Sequence, residues 1–183
     1  MTTATPARFP DLLRQQVRQE FTAAQQYIAV AVYFEQQDLP QLATLFHAQS
    51  RQERNHAMML VQFALDNDIE IRIPGTDAVR NDFPDIVAAL DFSLNLEEQV
   101  VEQISRLART AREEGDYIGE QFVHWFLKEQ TAEIAAMRTL RVVARRAGAQ
   151  PLKLEQFVAR ELSPATAGTP TESGHPEAAG GMI

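Results

Sequence analysis

The 183-residue chain contains no cysteine. That excludes disulfides, thiolate zinc sites, iron–sulfur clusters and cysteine nucleophiles. Positive charge is also scarce, with 17 Lys and Arg against 25 Asp and Glu and a formal net charge of −8. A phosphate track needs clustered Lys and Arg, so nucleic acid is not an expected partner. The acidic balance instead fits attraction of cations. No apolar run reaches the ~18 residues that a membrane span requires, so no membrane partner is expected. Met1 to Pro10 lacks the apolar stretch of a signal peptide, which reads as a cytoplasmic protein.

Proline and glycine are sparse where long helices would need them to be. Between Asp11 and Leu162 the only prolines are Pro40, Pro74, Pro84 and Pro151, and the only glycines Gly75, Gly115, Gly119 and Gly148. Both residue types interrupt helices. Their positions leave four long segments, roughly 8–37, 40–67, 84–113 and 116–147, and a shorter one near 151–161. All are rich in Ala, Leu, Gln, Glu and Arg, which favour helix. Tight turns at Gln37 to Leu39 and at Glu114 to Gly115 pair the first helix with the second and the third with the fourth. The longer link from Asp68 to Phe83 carries alternating Ile69, Ile71 and Ile73, predicting a short extended stretch before the Pro74-Gly75 turn. It is long enough to return the chain along a bundle. The expected fold is all-α: a four-helix bundle with one long crossover and a short fifth helix over 8–162, preceded by an extension at 1–7. From Ser163 onward there are three prolines, four glycines and no Lys or Arg, so 163–183 reads as a disordered tail. The alternative is a docking peptide, since Gly180-Gly181 precedes the apolar pair Met182-Ile183.

The functional signal lies in the apolar stripes. Steps of three and four give Leu13, Val17, Glu20, Ala24, Tyr27, Ala31 and Phe34 on the first helix. They give Leu42, Phe46, Gln49, Glu53, His56, Leu60 and Phe63 on the second. The third has Ile86, Leu90, Ser93, Glu97, Val100, Ile104, Leu107 and Ala111, and the fourth Phe122, Phe126, Gln130, Glu133, Met137, Leu140 and Ala144. Each stripe is apolar at its ends and acidic in its middle. Counted from the two tight turns, Glu20, His56, Glu97 and Glu133 lie 17 to 19 residues away. At 1.5 Å per residue that is about 25–29 Å, so all four helices bring a carboxylate to mid-height. Ionised and unpaired, such carboxylates would cost several kcal/mol each. No Lys or Arg lies on the stripes, so either protons or cations must neutralise them, and divalent metal is the simpler answer. Glu53 and His56 form Glu-x-x-His, whose i, i+3 spacing aims both at one ion. Oxygen-rich ligands with one imidazole suit Fe or Mn, with Zn able to compete. The expectation is an asymmetric pair of metals: Glu20, Glu53 and His56 on one, Glu53, Glu97 and Glu133 on the other, with Glu53 bridging. Gln130 is either a further ligand or a hydrogen-bonding neighbour of one.

Glu20, Tyr27, the stretch Glu53-Arg54-Asn55-His56-Ala57, Glu97, and Glu129-Gln130 followed by Glu133 resemble the ferroxidase centre of ferritins, nearest to the non-haem bacterial type. The resemblance spans about residues 8–161. It implies a hollow shell of twenty-four subunits that binds Fe(II) at a di-iron centre, oxidises it with oxygen or peroxide, and stores ferric mineral. It makes Glu20, Tyr27, Glu53, His56, Glu97, Gln130 and Glu133 the candidate catalytic residues. Tyr27 would hydrogen-bond a ligand carboxylate or supply an electron, and Trp125 is a remoter candidate donor. By the same resemblance Asp116 and Glu120 would line an entry pore. Leu154, Phe157, Val158 and Leu162 would pack between subunits.

Three departures from the family pattern modify these expectations. Arg54 stands where bacterioferritins place a haem-ligating methionine, so no haem is expected. Ala136 replaces the histidine of a second Glu-x-x-His. Gln52 and Ala132 stand where several bacterial ferritins use glutamates to hold a third iron, leaving Glu129 almost alone as its ligand. His47, His124 and His175 read as surface or packing residues. Two other functions share the bundle: a di-metal oxidase or peroxidase without storage, and a structural bundle with a degenerate site. Particle size separates them from a storage shell.

Overall fold

A computed structural model of the chain describes residues 8–162 and 175–183. Four long helices follow in order: α1 (Phe9–Gln36), α2 (Pro40–Asp66), α3 (Ile86–Glu114) and α4 (Tyr117–Ala147). A short α5 (Pro151–Phe157) runs on into one wider turn at Val158–Leu162. No strand occurs among the described residues. The chain is thus the all-α bundle with a short fifth helix that its sequence implies.

Local chemistry sets the boundaries. Pro40 occupies the first turn of α2, where its missing N–H is no loss. Asp85 caps α3 by accepting from the Ala88 N–H at 2.7 Å, and Asp116 caps α4 by accepting from the Gly119 N–H at 2.8 Å. Gly115 ends α3 at φ 73°, a left-handed conformation that glycine adopts freely. Gly119 meets a different demand: a Cβ there would lie 2.5 Å from the capping Asp116 carboxylate and 2.8 Å from the Phe9 ring, so any larger residue would push aside the cap or the ring against which α4 starts.

The crossover, Asn67 to Asp85, climbs alongside α1. Arg14 donates to the Glu70 carbonyl at 2.7 Å, and Thr22 accepts from the Asp77 N–H at 3.1 Å. The Gln26 amide pairs with both backbone groups of Arg80 at 2.8 Å each. Three successive levels of α1 thus guide the chain from the bottom of the bundle to its top, where Arg80 lies over Phe83 and Phe92. Ile69 and Ile71 pack on the lower core, whereas Ile73 is 61% exposed. The stretch runs beside a helix and pairs with no strand.

The core has two apolar halves. The upper holds Val30, Phe34, Leu42, Phe46, Leu90 and Leu140; the lower holds Leu13, Val17, Leu60, Ile104, Leu107 and Phe126. The short helix closes the top, and for two of its four apolar residues the structure corrects the expectation of packing between subunits. Leu154 and Val158 are each 1% exposed within this one chain, with Phe157 and Leu162 packed beside them. The reason is Glu155, whose buried carboxylate accepts from the Gln41 and Leu42 N–H groups at 2.8 and 2.9 Å. It caps the positive end of α2 from a distance and folds α5 onto the bundle. A second difference concerns the tail. Residues 1–7 and 163–174 lie outside the described residues, but 175–183 does not extend into solvent. The Ala179 N–H donates to the Met58 carbonyl at 3.0 Å, and the Asn55 amide pairs with both backbone groups of Ile183 at 3.1 Å.

Candidate metal centre

Between the apolar halves lies a polar waist. Glu20 is 0%, Glu53 1%, Glu97 1% and Glu133 8% exposed, one from each long helix. The periodicity that buries Leu13 and Phe34 on α1 or Leu42 and Leu60 on α2 carries the carboxylates inward with them. The structure brings them into two groupings. Glu20, Glu53 and His56 each offer a ligand atom within 4.8 Å of the others, and so do Glu53, Glu97 and Glu133. Glu53 belongs to both.

Each carboxylate has one oxygen engaged and one bare. Glu20 Oε1 accepts from the Gln16 amide at 2.8 Å, and Glu97 accepts from the Tyr27 hydroxyl. Glu133 accepts from the Gln52 amide, and Glu53 Oε2 lies 3.3 Å from His56 Nδ1. The other oxygen of all four is buried with no partner among the described residues. Gln130 is fully buried, and neither polar atom of its amide has a partner. Orphaned polar atoms at this density are costly, and their clustering calls for a ligand. No Lys or Arg pairs with the four carboxylates among the described residues. Two divalent cations would match their combined charge.

Burial dominates the electrostatics. It pushes the Glu20 carboxyl well above its ordinary range, and the neighbouring Glu53 charge pushes the same way. Glu53 is raised well above its ordinary range by burial and then by Glu97 and Glu133. Burial lifts Glu97 to about 7 against the opposing Tyr27 hydrogen bond, and Glu133 to about 8. Tyr27 is raised by burial and by the Glu97 charge beside it. Without cations, protons neutralise this waist, and bound cations would displace them.

The remaining candidates fall around the centre. Glu129 is in neither grouping. It lines a cavity of about 320 Å³ between α2 and α4 with Gln52, Ala132, Glu133 and Ala136, where the small side chains leave room. Trp125 is nearer than expected: its ring meets His56 edge-on at 5.8 Å between centroids. His175 also meets the Trp125 ring, at 5.1 Å between centroids, so this histidine packs. Under the returning tail lies a further cavity of about 260 Å³, lined in part by Arg51, His56, Glu129 and Met182. Asp116 is the α4 cap, and Glu120 pairs with Arg112, so both entry-pore candidates are engaged within the chain. Sequence reasoning missed Gln16 as a partner of Glu20, although its i−4 spacing placed it on the same face. It also missed Asn55, a buried amide that offered no periodic signal.

A four-helix bundle with one crossover and carboxylates meeting at its waist is the architecture of the ferritin-like di-metal proteins. The family described as "Ferritin-like domain" matches residues 10–147. The chain belongs to the ferritin family. It is 56% identical over 180 residues to "Ferritin BfrB" of Mycolicibacterium smegmatis, covering 98% of this chain and 97% of that one. It is 30% identical over 129 residues to "Bacterial non-heme ferritin" of Staphylococcus aureus, covering 70% of this chain and 78% of that one. Among solved structures, an open pore ferritin from the archaeon Archaeoglobus fulgidus superimposes with a TM-score of 0.80 at 22% identity, covering 83% of this chain and 94% of that one. No helix among the described residues is long and apolar enough to cross a membrane.

Proposed function

We propose that this protein is an iron-storage ferritin whose waist is a ferroxidase centre. The observation that carries the reading is the set of four buried carboxylates, each with a bare oxygen and, among the described residues, no Lys or Arg to neutralise it. Fe(II) is the substrate. Glu20, Glu53 and His56 would hold one ion and Glu53, Glu97 and Glu133 the other, with the buried Gln130 a further ligand or a hydrogen-bonding neighbour of one. Two Fe(II) ions each give up one electron, and dioxygen takes both electrons and two protons to leave as hydrogen peroxide. Peroxide would serve as the alternative oxidant. Hard carboxylate oxygens favour Fe(III), so the site stabilises the charge that oxidation creates. Glu97 and Glu133, protonated near neutral pH while empty, release protons as the ions enter. Tyr27 holds the Glu97 carboxylate in place.

The iron then passes as ferric mineral into a hollow shell of twenty-four subunits. The centre works without haem, because Arg54 offers no axial ligand. Glu129 is left a weak third-iron ligand, since Gln52 is turned to Glu133. The test is aerobic Fe(II) loading followed by sizing with iron detection. Iron should co-elute with protein in a particle of several hundred kilodaltons. An iron-free monomer or dimer would contradict the reading.

A further inference from the structure

The two cation positions are furnished differently, and the difference lies in neutral side chains outside the carboxylate set. Gln16 is 3% exposed, and its amide donates to Glu20 Oε1 from one turn earlier on α1. Gln52, half-buried on α2, reaches across the seam between α2 and α4 to donate to Glu133 Oε1. A glutamate's terminal torsion is broad and roughly two-fold, so a free carboxylate swings. A donor fixed on one oxygen removes that freedom and leaves the other oxygen as the single outward ligand atom, as the bare Oε2 atoms of Glu20 and Glu133 show. Lys or Arg would hold the carboxylates as firmly, but their charge would repel the incoming cations. An amide orients without neutralising.

We propose that Gln16 and Gln52 are positioning residues, Gln16 for the cation position of Glu20, Glu53 and His56, and Gln52 for that of Glu53, Glu97 and Glu133. This rests on the two-cation reading above. Each amide acts on one position only, because Glu20 and Glu133 are not shared between the two groupings. Removing one donor weakens one site and spares its neighbour, whereas a loosened fold weakens both. Loss of such a supporting hydrogen bond lowers metal affinity by about 10- to 100-fold.

The experiment is an anaerobic Co(II) titration of the full chain, followed by visible absorption and by proton NMR of paramagnetically shifted signals. Only the first position has an imidazole ligand, so the shifted, solvent-exchangeable His56 ring proton reports that position alone. The wild-type protein should bind two Co(II) per chain. Gln16→Met should weaken one binding step by about 10- to 100-fold and move the His56 signal to higher Co(II). Gln52→Met should weaken the other step by a similar factor and leave the His56 signal at its wild-type titration point. Gln16→Asn, which keeps a buried amide but draws it out of reach, should behave as Gln16→Met and replaces it if the methionine variant does not fold. Two wild-type steps in both variants, or the same step lost in both, would overturn the assignment while leaving the two-cation centre standing. Fewer than two Co(II) bound by the wild-type protein would overturn both.

Discussion

Leu60 and Glu53 lie two turns apart on α2, at 0% and 1% exposure, and burial does opposite things to them. Leu60 sits in the lower apolar half, where removing a side chain from water stabilises the fold by roughly 1.5–3 kcal/mol. Glu53 sits at the waist, where the same depth drives its carboxyl towards the protonated form. The bundle therefore has ends that hold it together and a middle that weakens it until something neutralises the charge. One helical periodicity serves both purposes. Each stripe aligns a helix by its apolar ends, and that alignment delivers the carboxylates to one height.

The largest effects should separate the two regions outright. Replacing Glu53 and His56 by Ala should abolish fast Fe(II) oxidation, followed by stopped-flow absorbance, while the assembled particle keeps its size. Wild-type initial rates would break the distinction. Leu60→Ala should instead lower the unfolding free energy by about 2–5 kcal/mol, measured by denaturant titration, because the cavity left at the end cannot be refilled. Glu53→Gln in the metal-free protein should not lower stability, since it puts a neutral amide where burial and the neighbouring carboxylates already disfavour the charged form. A loss as large as that of Leu60→Ala would mean that the waist is not under electrostatic strain.

The pH dependence sharpens the same contrast. Glu97 and Glu133 have pKa values of about 7 and about 8 in the folded, metal-free chain, above the ordinary 4.5 of an unfolded one. Between those limits the folded state binds more protons than the unfolded state. The contribution of these groups is therefore fully present below pH 4.5 and is lost as pH rises through 7 to 8. Metal-free protein should melt at a lower temperature at pH 8.5 than at pH 6, and Glu97→Gln with Glu133→Gln should flatten that slope. The smallest effect belongs to the returning tail. Asn55→Ala should remove the bracket on Ile183, at a local cost of about 1 kcal/mol, seen as faster amide hydrogen exchange at 179–183 with little change in global melting.

Much of this was legible in the sequence because it rests on period and spacing. The four stripes, the tight turns at Leu39 and Gly115 and the single crossover follow from local rules, and Glu20, Glu97, Glu133 and the His56 of Glu-x-x-His could be placed at one height by counting. What escaped depends on contacts between distant residues. Glu155 reads as one more acidic residue on a short helix until its carboxylate is seen on the N–H groups of α2. The composition of the last residues argues for a solvated tail, yet one backbone hydrogen bond to Met58, the Asn55 amide on Ile183 and Trp125 against His175 hold 175–183 to the bundle. Gln16 and Gln52 escaped for another reason. Glutamine favours helix anywhere, so its type alone does not mark the turn at which it meets a carboxylate.

The central claim is that the waist is built to exchange protons for cations. Anaerobic Fe(II) titration calorimetry at pH 7, repeated in buffers of different ionisation enthalpy, counts the ions bound and the protons released together. The account predicts two tightly bound ions per chain with net proton release. Binding without proton release, or no saturable binding, would contradict it.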